Sequence, residues 1–406
     1  MKSRFAVAAL ATLTIGLVSA QTMPTPQPAA APAAQVAPVQ PQVEIPPAPA
    51  PAKSKAWIVM DYASGQVLAG ENINERLAPA SMTKVMTSYV IASELQNGKV
   101  TRDDQVTMTE NAWRKGGAGT DGSYSGFPVN STARLEDMEK GMVVQSGNDA
   151  AIALSEHVAG SEEAFVALMN AHAARLGMKD TNYEDVTGLS AEGHYSSAYD
   201  MALLGRALIH DFPETYAYNK IKEMTVNGIR QPNRNLLLWR DSRVDGLKTG
   251  HTSEAGYCII NSAVSGDQRI ITVIFGDTSE KQRATDSLAL LNWGFRFYET
   301  HRLYEPGKVV AEQKVWKGSA DNLKLGVAQP LLVSVPRGRY EALKPSIELP
   351  KQLVAPFAQG QQVGTVKVSL DGKVVAQAPL VATEAVEEGG FFKRLWDAFW
   401  MWWDSE

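Results

Sequence analysis

The chain has 406 residues, 44% of them hydrophobic and 20% charged, with a formal net charge of −5. It is long enough for one large or two smaller hydrophobic cores, and without a concentrated Lys/Arg patch it argues against nucleic acid as a partner. A single cysteine, Cys258, excludes an intrachain disulfide, and with six scattered histidines it offers no metal-ligand cluster, so neither metal nor cofactor is expected.

Met1–Arg4 carries two positive charges, Phe5–Val18 is an apolar run, and Val18-Ser19-Ala20 is a small-residue cleavage pattern. This predicts a secretory signal peptide over 1–20, cut after Ala20, and hence an exported protein. The run is shorter than the ~20 apolar residues that span a bilayer, which disfavours a retained anchor. Gln21–Ala52 holds ten of the 21 prolines, many alanines and almost no charge. Residues 21–54 are therefore expected to be a disordered spacer. At ~3.1 Å per residue in polyproline II it could reach roughly 100 Å.

Folded sequence is predicted from near Lys55. "AWIVMDYASGQVLAG" reads as two short strands around a Ser-Gly turn. Ala80 to Asn97 reads as a helix, with Val85, Met86, Tyr89 and Val90 on its apolar face and Asn97-Gly98 as the stop. Further helical sequence covers Leu135–Ala159, Ser161–Gly177, Ser197–His210 and Ser279–Glu299, and "AGYCIINSAV" with "RIITVIFGDT" makes an apolar hairpin. The mixture predicts an α+β fold. After about Thr300, short β-branched runs alternate with Gly and Pro turns, which predicts a separate small all-β domain ending near Val386.

Three short patterns could carry chemistry. Ser81-Met82-Thr83-Lys84 is an S-x-x-K at a helix start, and its i, i+3 spacing puts both side chains on one face. A serine hydroxyl needs an adjacent base, and a lysine kept neutral by burial and nearby positive charge can be one. The helix start also aims backbone N–H groups toward an oxyanion near Ser81. Ser146-Gly147-Asn148 falls between two helical stretches, where a loop can dip into a cleft or simply cap a helix. Lys248-Thr249-Gly250 precedes the apolar hairpin; a cation, a hydroxyl and a glycine at a strand edge suit carboxylate binding and close backbone approach, or just a turn with an exposed lysine.

In this order the three patterns match those of penicillin-binding proteins and class A β-lactamases. The chain resembles the low-molecular-mass penicillin-binding proteins that are D-alanyl-D-alanine carboxypeptidases. Beyond the motifs, "APASMTKVMT", "GMVVQSGNDAAIALSEHVAG", "DMALLGRALIHDFPE", "RQPNRNLL" and "VDGLKTGHTSEAGYC" carry the likeness, which runs from about Lys55 to the C-terminus. The resemblance implies a transpeptidase-like α+β domain over 55–299, with an antiparallel sheet and flanking helices, and a β-rich domain over 300–386. It implies Ser81 as the acylated nucleophile, Lys84 as its base and Ser146 as a proton relay. Asn148 would hold the substrate amide, while Lys248, Thr249, Gly250 and Arg234 would bind or border its carboxylate. The His251 backbone N–H, with that of Ser81, would form the oxyanion hole. The implied partners are peptidoglycan stem peptides ending in D-Ala-D-Ala and β-lactam antibiotics.

Other readings fare worse on the residues. His251 could be the base of a Ser-His-Asp triad, but Lys84 fills that role at better spacing. Cys258 sits in an apolar strand and reads as a buried small residue. "GGAGTDGSYSG" lacks the GK[ST] of a phosphate loop and reads as a loop beside the cleft. A β-lactamase would need a further E-x-x-L-N glutamate. Its nearest match, Glu223 to Asn227, comes too late in the chain and in a strand-like stretch. A transpeptidase or endopeptidase would use the same residues. A non-catalytic wall-binding scaffold would have no reason to keep Ser81, Lys84 and Lys248.

The last stretch, 387–406, opens with "EEGG" and then packs seven aromatic residues into Phe391–Trp403. On a helical wheel the aromatic residues and Leu395 fall mainly on one side, and Lys393, Arg394, Asp397 and Asp404 on the other. About 13 residues of helix cover roughly 20 Å, too short to span ~30 Å of hydrocarbon. The expectation is an amphipathic helix lying in a membrane surface, at the periplasmic face of the cytoplasmic membrane; the alternative is packing of its aromatic face on the protein's own β-rich domain.

Overall fold

The computed structural model describes residues 45–117, 122–189 and 191–403. The expected signal peptide, residues 21–44 of the Pro/Ala-rich segment and residues 118–121 of the glycine-rich loop lie outside the described residues.

The chain begins with an antiparallel pair, β1 (Ala56–Asp61) and β2 (Val67–Glu71), then a 3₁₀ turn (Ala80–Thr83) running into α1 (Lys84–Gln96). Next come β3 (Gln105–Thr107), α2 (Glu110–Gly116), β4 (Thr132–Arg134), α3 (Leu135–Val144), α4 (Asn148–Ala159), α5 (Glu162–Leu176), α6 (Ala198–Asp211) and α7 (Pro213–Tyr216). A small ribbon of β5 (Glu223–Val226) and β6 (Ile229–Pro232) is followed by α8 (Leu237–Arg240), β7 (Val244–Thr252), β8 (Gly256–Ser265), β9 (Gln268–Asp277) and α9 (Glu280–Phe297). The strands β10 (Tyr298–Tyr304), β11 (Val309–Trp316), β12 (Asn322–Val327), β13 (Leu331–Pro336), β14 (Lys344–Glu348), β15 (Leu353–Val354), β16 (Gln362–Leu370) and β17 (Lys373–Ala382) precede a final helix, α10 (Phe391–Trp403).

A five-stranded sheet in the order β2-β1-β9-β8-β7 organises the first part, with every pairing antiparallel. β1, β8 and β9 are almost wholly buried, as their apolar runs require of strands covered on both faces. Val59, Ile259, Ile270 and Ile274 face Leu290, Leu291 and Trp293 of α9. Ile58, Met60, Ile260 and Ile271 join the larger core with α1, α4, α5 and α6. β7 is an edge strand, so its outer side is available to the turn that carries Ser81.

The helices match their sequence signals, with two local differences. The α-hydrogen-bonded helix starts at Lys84, because Ala80 is left-handed (φ 48°) behind Pro79 and the first turn closes as 3₁₀. Leu135–Ala159 divides into α3 and α4 at Gln145–Gly147, where Ser146 is left-handed (φ 67°). Order also begins earlier than the expected boundary at residue 54. Ile45 and Ala48 pack on the α9 face of the sheet, and the Pro46 carbonyl accepts a 2.9 Å bond from Trp293 Nε1.

The β-rich part holds a six-stranded sheet, β14-β16-β17-β12-β11-β15, and the pair β10-β13, around a core that includes Leu323, Leu325, Val366 and Leu380. It is tied to the first part by Thr300 Oγ1, which donates to Asp61 Oδ1 at 2.6 Å, and by the Arg337 guanidinium on the Phe295 carbonyl. α10 turns its charged side toward this sheet. Asp397 accepts from the Lys317 N–H at 2.6 Å and Lys393 pairs with Asp321. Phe391, Phe392, Leu395, Trp396, Phe399 and Trp400 are left exposed, so packing of the aromatic face on the β-rich part is not what the structure contains.

Candidate active site

The S-x-x-K pair is built as its spacing demands. Ser81 is half-buried on the 3₁₀ turn, and Lys84, one turn on, is fully buried with Nζ 2.9 Å from Ser81 Oγ. Two further acceptors hold the same nitrogen: Asn148 Oδ1 at 2.6 Å and the Thr187 carbonyl at 2.8 Å. Burial is the main force on this lysine and brings its pKa down to about 7; the Arg234 cation pushes the same way, and Asp185 and Asp149 oppose it. A lysine in that range is substantially neutral at neutral pH and can take a proton from Ser81.

Lys248 is the second buried cation. Its Nζ lies 2.9 Å from Ser146 Oγ and 3.0 Å from the Thr249 carbonyl. Burial, Lys84, Arg234 and Arg283 all disfavour its charge and hold its pKa well below the ordinary lysine value. Ser146 owes its place to a left-handed backbone that costs a non-glycine residue about 1–3 kcal/mol. What holds that loop is Asp149, whose two carboxylate oxygens accept from the Ser125 N–H at 2.9 Å and Ser125 Oγ at 2.6 Å. The Asn148 N–H also donates to the Ser123 carbonyl at 2.8 Å.

Thr249 is buried beside Lys248, and Gly250 explains how β7 meets the turn that carries Ser81. A Cβ at Gly250 would lie 3.0 Å from the Pro79 carbonyl oxygen and 3.1 Å from the Ser81 nitrogen. Only glycine allows that approach without movement. His251 is exposed, with its ring on Tyr257 at a 4.1 Å centroid distance, so its side chain is not placed as a base for Ser81. Arg234 is exposed at the rim, its Nε donating to the Gln145 carbonyl, and its charge is felt by both lysines. Cys258 is buried in β8, as its apolar strand required. Glu223 pairs with Arg230 across the exposed β5-β6 ribbon and takes no part in this cluster.

Sequence reasoning missed the floor of the site. Residues 185–188 form a tight turn in which Asp185 Oδ1 accepts from the Thr187 N–H, Thr187 Oγ1 and the Gly188 N–H, and the Thr187 carbonyl so presented holds Lys84. The D-x-T-G run is an Asx-turn signal, but nothing local says what it faces. Gly188 (φ +85°) fits beneath the turn that carries Ser81 only because it has no side chain: a Cβ there would lie 1.8 Å from the Ala80 carbonyl oxygen. His194 closes the same floor. It accepts from the Glu184 N–H at Nδ1, so Nε2 is the nitrogen that donates to Thr83 Oγ1 at 2.9 Å.

A serine touching a buried lysine, faced across a cleft by a second lysine, a second serine and an asparagine, defines a serine–lysine site able to form an acyl-enzyme. The D-alanyl-D-alanine carboxypeptidase family profile matches residues 42–279, and the profile of the C-terminal domain of penicillin-binding protein 5 matches 298–388. The chain is 48% identical over 347 residues to D-alanyl-D-alanine carboxypeptidase DacC of Escherichia coli (strain K12), covering 85% of this chain and 87% of that one. It is 45% identical to DacA of the same organism, covering 85% and 86%. The crystal structure of penicillin-binding protein 5 from Haemophilus influenzae superposes with a TM-score of 0.80 at 40% identity, over 85% of this chain and all of that one. The chain belongs to the D-alanyl-D-alanine carboxypeptidase family of serine peptidases, with the penicillin-binding protein 5 fold.

Proposed function

We propose that the family's carboxypeptidase reaction runs here through Ser81, with peptidoglycan stem peptides ending in D-Ala-D-Ala as substrate. Lys84 Nζ takes the Ser81 proton as Oγ attacks the carbonyl of the penultimate D-alanine. The Ser81 and His251 backbone N–H groups receive the oxyanion, and Ser146 relays the proton from Lys84 to the leaving D-alanine nitrogen, which leaves Lys84 neutral for the second step. Water, again deprotonated by Lys84, then releases the shortened peptide. Asn148 holds the substrate amide. Lys248, Thr249 and Arg234 take the terminal carboxylate, with Gly250 letting β7 close on it, and that carboxylate supplies the counter-charge that burial denies Lys248 in the free site. A β-lactam enters by the same first step. The observation that carries this reading is the 2.9 Å approach of buried Lys84 Nζ to Ser81 Oγ. Wild-type protein is expected to form a covalent adduct with a fluorescent penicillin and to release D-alanine from a pentapeptide ending in D-Ala-D-Ala. Ser81→Ala is expected to do neither; labelling of that variant would show the nucleophile to be another residue.

We also infer that the exported enzyme works at the periplasmic face of the cytoplasmic membrane, held there through Phe391–Trp403. Among the described residues no helix is long and apolar enough to cross a membrane. The exposed aromatic face of α10 supports an in-plane seat in the lipid interface. From Glu387 to Glu406 the sequence has five acids and two bases, so attraction to anionic lipid does not contribute and raised salt should not release the protein. Deleting Gly390–Glu406 is expected to give a soluble enzyme that still binds penicillin. Retention of the shortened protein in washed membranes would contradict the anchor.

A further inference from the structure

We propose that Asp185 is a positioning residue for acylation: its carboxylate folds residues 185–188 so that the Thr187 carbonyl grips Lys84. The inference rests on the reading of Lys84 as the base.

One carboxylate oxygen, Oδ1, gathers three donors, the Thr187 N–H at 2.5 Å, Thr187 Oγ1 at 2.9 Å and the Gly188 N–H at 2.6 Å. In the turn so formed the Thr187 carbonyl accepts from Lys84 Nζ at 2.8 Å. The other oxygen, Oδ2, lies 3.8 Å from His194 Nδ1, whose ring reaches the nucleophile turn through Thr83. Asp185 thus holds the Thr187 support of the S-x-x-K segment and lies near the His194 one, without touching Ser81.

The charges around Lys84 can be enumerated. Asp185 is the strongest anionic influence on it and Asp149 of α4 the weaker one, while Arg234 acts in the opposite sense. Lys248 on β7 faces it as a second buried cation. Asp185 itself is faced by His194, and Glu162 of α5 feels its charge. Removing the Asp185 charge therefore releases the Lys84 proton more readily, and the base is available at lower pH.

Two substitutions separate the two roles. Asp185→Asn keeps an oxygen acceptor for the turn and removes only the charge; Asp185→Ala removes both. Acylation by fluorescent penicillin is followed from pH 5 to 9, with kcat and KM for D-alanine release alongside. For Asp185→Asn the acid limb of the acylation profile is expected to move down by up to about one pH unit, a several-fold faster reaction on the limb, with the alkaline plateau and KM kept. Asp185→Ala is expected to lose plateau rate as well, because the Thr187 carbonyl is no longer held. If Asp185→Asn keeps the wild-type limb, or loses its plateau as Asp185→Ala does, the proposal is wrong and the aspartate is structural only. If Lys84→Ala acylates on an unchanged profile, the base assignment falls and this inference with it; slow Lys84→Ala with an unmoved Asp185→Asn limb overturns the role of Asp185 alone.

Discussion

Lys84→Ala is expected to slow acylation by roughly 10²–10⁴-fold, the usual contribution of a general base. In wild type the rate should climb with pH through about 7, where Lys84 loses its proton, because only the neutral amine can accept from Ser81. The variant should lose that limb along with the rate. Loss of the side chain also leaves Asn148 Oδ1 and the Thr187 carbonyl without the ammonium that joins them, so the melting temperature is to be read beside the labelling rate. A variant that labels at wild-type speed would show that another group takes the Ser81 proton.

The second large effect lies away from the chemistry. Glu139 of α3 is fully buried, and the Ser88 hydroxyl of α1 is the polar group beside its carboxyl, too poorly aligned to satisfy it. Burial drives its pKa up to about 8, with the Ser88 hydroxyl, Arg102 and Lys140 opposing and Glu136 adding to it. The folded value therefore exceeds the unfolded value of about 4.3. Folding takes up a proton, and stability is fully present below the unfolded pKa and falls as pH rises toward about 8. Glu139→Leu removes this dependence at similar volume. It should stabilise little at pH 4.5 and by about 4 kcal/mol more at pH 8.5, seen in calorimetry as a rise in melting temperature that grows with pH. An equal shift at both pH values would rule out the buried carboxyl as its cause.

Much of this was legible in the sequence, and what was not has a common cause. The i, i+3 pairing of Ser81 and Lys84 is a property of one turn, so spacing sufficed to bring the two together. The apolar hairpin of β8 and β9 and the helix Phe391–Trp403 are likewise local patterns. Thr187 is different: it meets Lys84 across 103 residues through a carbonyl, and every residue type has a carbonyl. Pro46 is held by Trp293 across 247 residues, which is why composition alone placed the end of the spacer too late. Glu139 sits in register with Leu135, Met138, Met142 and Val143, so the break in the apolar stripe was visible, but its complete burial depends on α1 packing over it.

The two glycines that bracket the Ser81 turn have a mechanical consequence. Gly188 from below and Gly250 from β7 bring backbone directly against the backbone of residues 79–81. Side chains can change rotamer to absorb a displacement; main-chain atoms in contact cannot. The turn therefore cannot retreat toward the floor loop or toward β7. Any widening of the cleft for a bulkier substrate has to come from the opposite wall, where Ser146 sits on the loop between α3 and α4 and Asn148 opens α4. Opening the cleft that way stretches the Ser146–Lys248 and Asn148–Lys84 hydrogen bonds.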